Sequence, residues 1–186
     1  MDDRKLKVLQ VLPALESGGV ERGTLEMAKF LVDQGHQSIV ISNGGRLVDQ
    51  LIQQGSKHIQ WPIGQKSLFT FGLVTRLRRL LLEQNIDVLH ARSRLPAWIA
   101  YLAWKSIAPE RRPKFITTVH GPYSVSRYSA VMAKGELVIV VSEMIRDYVE
   151  NHYRVEPERM RLIHRGVDRK HFFYGYRPSP EWLSTW

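Results

Sequence analysis

The sequence predicts an α/β fold: a doubly wound, mostly parallel sheet with helices on both faces. Three observations carry this. Short apolar runs such as Val8, Leu9, Val11 and Leu12 are too continuous for half-exposed strands and read as strands buried on both faces. Segments with helical spacing of apolar residues alternate with these runs, and glycine, proline or asparagine separates the two kinds. Parallel pairing follows, because each crossover needs the room a helix supplies, and such crossovers are right-handed.

The elements follow in order. After the first strand, Pro13 stops ladder donation and Gly18-Gly19 opens a loop. Glu21 to Phe30 reads as a helix with Leu25 and Ala28 inward, closed by Gly35. Gln37 to Ser42 is a second buried strand, Asn43-Gly44-Gly45 a turn, and Arg46 to Gln54 a short helix closed by Gly55. Lys57 to Trp61 is a third strand, stopped by Pro62. Ser67 to Gln84 reads as a longer helix with Leu73, Leu77, Leu80 and Leu81 on one side and Arg76, Arg79 and Glu83 on the other. Asp87 to Ala91, Lys114 to Val119 and Leu137 to Val141 are further strands. Leu95 to Ile107 is a helix, Ser142 leads into a helix from Glu143 to His152, and Met160 to His164 is a last short strand.

Composition narrows the function. A chain of 186 residues, 44% of them apolar, can bury a real core as one domain, or as one domain and a small piece of another. The absence of cysteine excludes disulfides and thiolate metal sites and fits a reducing compartment. No stretch reaches the roughly 18 apolar residues of a membrane span, and the acidic start carries no secretory signal, so a cytoplasmic location is expected. The net charge of +9 points to an anionic partner: a phosphorylated substrate, a membrane surface or nucleic acid.

In doubly wound sheets ligands bind beyond the carboxyl ends of the strands, where strand order reverses. Gly18 and Gly19 after the first strand, His90, Arg92, Ser93 and Arg94 after the fourth, His120 and Gly121 after the fifth, and Ser142 after the sixth are therefore expected on one rim. Gly18-Gly19 fits either a plain tight turn or a loop whose free N–H groups and helix dipole receive an anion. It is not the dinucleotide fingerprint: the order is Gly-Gly-x-x-x-Gly through Gly23, and Ser42-Asn43 stands where a ribose-binding acid belongs. No Gly-Lys-Ser/Thr follows, so it is no P-loop. His90 reads as a hydrogen-bonded strand-end histidine or as a site residue. Arg92 and Arg94 favour the site, because guanidinium groups are costly to crowd without an anion. His120, just past a buried strand and followed by Gly121, suits a residue reaching a polar substrate, although a structural histidine fits the same pattern. Metal ligation by His90, His120, His152, His164 or His171 is not expected, since no pair has i, i+4 spacing beside an acid. No Gly-x-Ser-x-Gly elbow offers an acyl-transfer nucleophile.

Five motifs in order resemble a known family. They are Gly18-Gly19-Val20-Glu21-Arg22, His90-Ala91-Arg92-Ser93, Thr118-Val119-His120-Gly121, Val141-Ser142 and Ile163-His164-Arg165-Gly166-Val167-Asp168. From about Lys7 to Phe173 the chain is similar to the N-terminal, Rossmann-like half of retaining GT-B glycosyltransferases of the group 4, lipopolysaccharide-building type. The resemblance implies two domains facing across a cleft, the first holding the acceptor and the second a nucleotide sugar. It implies that Gly18 and Gly19 approach the donor diphosphate and that the catalytic His120 lies close to the transferred sugar. Glu21, Arg22, His90, Arg92, Ser93, Arg94 and Gly121 are then candidates for the acceptor or its anion. Ser142, Arg165, Gly166 and Asp168 lie on the hinge side. The hinge motif usually reads Asn-Gly-Val-Asp, so Arg165 is a departure.

The resemblance further implies sugar transfer from a nucleoside-diphosphate donor with retention, no metal and no cofactor, the nucleotide sugar serving as co-substrate. Residues 1–168 would form the acceptor-side domain and 169–186 the crossing segment, with the donor-binding domain absent from this chain, which alone would not turn over. An anionic glycan or glycolipid acceptor is expected, with peripheral contact at the inner membrane surface. Between Val88 and Lys134 the bases at 92, 94, 105, 111, 112, 114, 127 and 134 face the single acid Glu110. The run from Leu68 to Leu73 offers either a hydrophobic foothold or ordinary core packing. Two other readings remain. A nicotinamide-dependent Rossmann enzyme lacks its acid after the second strand. A non-catalytic basic module lacks any nucleic-acid recognition element, so no nucleic acid is expected.

Overall fold

A computed structural model describes residues 4–166, 174–175 and 177–184. Its centre is a seven-stranded sheet, entirely parallel, in the order β3-β2-β1-β4-β5-β6-β7. The strands are β1 (Lys7–Val11), β2 (Gln37–Ser42), β3 (Lys57–Gln60), β4 (Val88–Ala91), β5 (Lys114–Val119), β6 (Leu137–Val140) and β7 (Met160–Leu162). The helices are α1 (Gly19–Asp33), α2 (Val48–Gln53), α3 (Leu73–Glu83), α4 (Arg94–Lys105), α5 (Glu143–Tyr153) and the short α6 (Pro180–Ser184). Strand order reverses between β1 and β4, the switch point of a doubly wound sheet.

Strand parity divides the core. Leu9, Val11, Ile39, Ile41, Leu89, Ala91, Phe115, Val119, Val138 and Val140 join Leu77, Ile99, Ile145 and Val149 of α3, α4 and α5 in the larger cluster. Leu12, Leu15 and Val40 pack with Leu25 and Ala28 of α1 and Leu51 of α2 in a smaller one. Helices therefore cover both faces of the sheet. The face under α1 and α2 carries its helical cover over the β1–β3 half, while the alternate residues of β4–β6 border a cavity.

Several boundaries differ from the sequence expectation. Helix α1 begins at Gly19, two residues before Glu21, so Gly18 is its N-cap and Gly19 belongs to its first turn rather than to a loop. It also runs on to Asp33 before Gly35 turns the chain. Helix α2 starts only at Val48, because Arg46 and Leu47 are tied back to Glu16 and Leu15 by bonds of 3.2 and 2.9 Å. The expected helix from Ser67 splits: Leu68–Gly72 is a 3₁₀ segment, capped by the Ser67 hydroxyl, before α3 begins at Leu73. There Leu68 and Phe69 are 87% and 93% exposed, so core packing explains Thr70 and Leu73 but not these two. Strand β7 stops at Leu162, which leaves His164 past its end.

Candidate functional site

The site grows from polar residues placed on apolar strands. Gln10, His90 and Thr118 share the parity that faces α1, and all three are buried. His90 Nε2 and Thr118 Oγ1 are hydrogen-bonded at 2.7 Å. Gln10 Nε2 donates to the Thr24 carbonyl of α1 at 3.3 Å, and its Oε1 accepts from Arg92 Nη1 at 3.2 Å. This relay ties Arg92, just past β4, to the helix that follows β1. The Arg92 side chain enters the space between them and is only 7% exposed, with no partner for its Nε among the described residues.

Glycines make that entry feasible. A methyl group at Gly23 would stand 3.1 Å from Arg92 Nη2 and 3.3 Å from Arg165 Nη2. One at Gly19 would stand 2.5 Å from Arg165 Nη1. Two guanidiniums therefore lie against one bare stripe of α1. A cavity of about 220 Å³ opens beside them, lined by Gly23, Glu26, His90, Arg92, Thr118, His120, Val141 and the 163–166 segment.

Electrostatics follow from burial and from the two cations. Burial, then Arg165, pulls the Arg92 guanidinium down to about 10, with Glu26 opposing. Burial, then Arg92 and Arg165, takes His120 down to about 3, so its imidazole is neutral at physiological pH. Among the described residues neither His120 ring nitrogen has a hydrogen-bond partner. His90 is likewise held well below its usual range by burial first, then by Arg92 and His120. The site thus offers one neutral imidazole free to donate or accept, and two cations. Among the described residues neither cation has an ion-pair partner.

The structure separates some residues that the sequence grouped. Arg94 does not join Arg92: its guanidinium lies over the rings of Tyr123 (4.8 Å) and Tyr128 (5.4 Å) and donates to Ser129 Oγ at 3.3 Å. Those contacts satisfy it, as one residue of helix turns it toward α4's own neighbours. Ser142 caps α5 by accepting from the Ile145 N–H at 3.3 Å, and Ser93 occupies the N-cap of α4. The Glu21 carboxylate folds back against Gly18 at the N-terminus of α1, so it opposes an incoming anion there and suits a hydroxyl donor instead. Arg22 is exposed on α1, Gly121 borders open space, and Gly166 lines the cavity beside Arg165. Asp168 lies outside the described residues.

Gln10, Thr24 and Glu26 were not singled out from the sequence. Gln10 carried a signal: a polar residue inside an apolar run, on the parity of His90 and Thr118. Among the described residues no three His, Asp or Glu side chains are placed to hold a metal ion. Strand β2 ends in Ser42, whose hydroxyl is engaged by His58 Nε2 at 2.9 Å and the Gly44 N–H at 3.2 Å. A nicotinamide ribose finds no carboxylate there. No described helix is long and apolar enough to cross a membrane.

Fold and site together define a Rossmann-like domain with a cationic crevice at its switch point. The chain belongs to Glycosyltransferase Family 4, whose model matches residues 17–171. It is 37% identical to a glycosyltransferase from Rickettsia africae ESF-5, covering 97% of this chain and 48% of that one, with a TM-score of 0.78. It is 25% identical to the N-acetyl-alpha-D-glucosaminyl L-malate synthase of Bacillus anthracis, covering 91% of this chain and 47% of the relative. The fold also matches Anabaena Alr3699/HepE in complex with UDP-glucose, at a TM-score of 0.71 and 19% identity over 97% of this chain and 48% of that one. The chain spans about half the length of these relatives.

Proposed function

We propose that this chain is the acceptor-side half of a glycosyltransferase that moves a sugar from a nucleoside-diphosphate sugar to a cell-envelope glycan or glycolipid, with retention at the anomeric carbon. The observation that carries this reading is the neutral, unpartnered His120 beside the cationic pair Arg92 and Arg165 at the switch point. Sugar transfer develops positive charge on the ring and negative charge on the departing diphosphate. Guanidiniums over the bare stripe of α1 suit the second charge. A neutral imidazole suits a sugar hydroxyl, and, unlike an imidazolium, adds no repulsion to an oxocarbenium-like ring. Family membership supports the same reading, as does the UDP-glucose bound to the Anabaena protein of like fold.

The donor-gripping groups of such an enzyme would belong to a second domain facing this one. The test is transfer from a panel of nucleoside-diphosphate sugars, using the 186-residue chain and a fusion of it to the second half of the Rickettsia africae relative. Product is expected from the fusion alone, with the starting anomeric configuration kept. His120→Ala in the fusion should lower turnover about a hundredfold or more with the fold intact. Product from the isolated chain would overturn the division of labour, and a near-normal rate for His120→Ala would remove that residue from the reaction centre. An anionic membrane surface is the proposed setting, with exposed bases such as Arg127 and the exposed Leu68 and Phe69 as contacts.

A further inference from the structure

We propose that Arg165 and Arg92 together form a two-guanidinium clamp for a phosphoryl dianion, and that Arg165 is an anion ligand rather than a hinge residue. This rests on the glycosyl-transfer reading for the identity of the ligand, but not for the clamp itself. The two side chains arrive from distant parts of the chain, one after β4 and one after β7, and meet over the same point above Gly23. Arg165 also reaches across to Gly19. Like charges gather this way at a cost unless something negative lies between them. Among the described residues neither guanidinium has a carboxylate within ion-pair distance, Glu26 acting on Arg92 only from farther away, and Arg92 Nε is buried without a partner.

The chemistry of the missing group follows from the donors. Arg92 is more than nine-tenths buried and fixed by Gln10, so its fork is preorganised. Arg165 is exposed and closes from the solvent side. Two planar forks carrying two charges match a tetrahedral dianion, whose several oxygens can each receive an N–H. A carboxylate would satisfy one fork and leave one charge unmatched. His120 lies within the same cavity and supplies a neutral hydrogen-bonding edge, adding no charge. The expected occupant is a terminal phosphoryl group, either that of the departing nucleoside diphosphate or one carried by the acceptor.

The test titrates the 186-residue chain with inorganic phosphate and with acetate at pH 8, read by calorimetry and by the NMR signals of the Arg92 and Arg165 guanidiniums. Phosphate is expected to bind at least about tenfold more tightly than acetate. Arg165→Asn should weaken phosphate about tenfold, and Arg165→Lys by less. Lys57→Gln removes one exposed cation at the start of the edge strand β3, at the opposite end of the strands, and should leave affinity within twofold. Because Arg165 is exposed, its variants should keep the wild-type amide spectrum elsewhere. Absence of saturable phosphate binding, or equal binding by Arg165→Asn, would overturn the clamp.

In the fusion, UDP that displaces phosphate identifies the donor diphosphate as the occupant. UDP that binds alongside phosphate identifies the acceptor's phosphoryl group, and both results require the clamp. A fusion that transfers sugar while Arg165→Asn binds phosphate normally defeats the clamp alone. A clamp that holds phosphate in a fusion without transfer defeats the glycosyl-transfer reading alone.

Discussion

A single methyl group separates two kinds of glycine in this chain. At Gly19 it would press on the tip of the Arg165 side chain, 2.5 Å away, and a guanidinium on a flexible stem can swing aside. At Gly45 it would meet the Leu15 carbonyl oxygen at 2.5 Å, on a backbone with φ of +134°. Neither the neighbour nor the dihedral can relax there. Gly45→Ala is therefore expected to cost about 2–4 kcal/mol in urea denaturation, and Gly19→Ala less than about 0.5 kcal/mol. Gly19→Ala should nevertheless weaken phosphate binding, because the displaced arginine is half of the anion site. The turn at Asn43-Gly44-Gly45 was legible in the sequence, since its residues state the conformation locally. The role of Gly23 was not, because it depends on two side chains that reach it from more than sixty residues away.

At the scale of elements, apolar runs placed the inner strands β1, β2, β4, β5 and β6, because a strand buried on both faces leaves a hydrophobic signature that the half-exposed edge strands β3 and β7 lack. Helix starts were less legible. α1 opens on glycines, and its first turn has no side-chain cap to announce it. Parity inside the strands held the larger part of the site, in Gln10, His90 and Thr118, and was readable in principle. The separation of Arg94 from Arg92 was not, since positions two apart across a strand-to-helix turn diverge in a direction set only by the helix that follows. The 3₁₀ segment Leu68–Gly72 is the element with the clearest unmet apolar surface. Replacing both Leu68 and Phe69 by Ser should leave the urea midpoint unchanged, because neither side chain contributes to the core. Flotation with anionic phospholipid vesicles should fall several-fold for this variant and recover little in neutral vesicles. Equal flotation of variant and wild type would remove the segment from any membrane contact.

For the molecule as a whole, a positive chain places neutral histidines beneath its own cations, which couples stability to acidity. His90 and His120 are held below the ordinary histidine value of 6.5, His120 to about 3, and burial also lowers His58. Above pH 6.5 both folded and unfolded chains carry these rings neutral, and no penalty arises. Below it the unfolded chain takes up protons that the folded chain refuses, so stability falls with pH; for His120 this continues until about pH 3. The His120 ring contributes a slope of up to about 1.4 kcal/mol per pH unit over its window. Urea midpoints measured from pH 7.5 to 5.5 avoid most carboxylate titration and isolate this loss. His120→Gln, which cannot take up a proton in either state, should give a shallower fall than wild type over that range. Bound phosphate should act in the opposite sense on the same ring, since an anion between Arg92 and Arg165 offsets the guanidinium charge that, after burial, keeps His120 neutral. An acid-side loss that is the same for His120→Gln and wild type, and indifferent to phosphate, would mean that the imidazole is not held neutral by burial and the two guanidiniums.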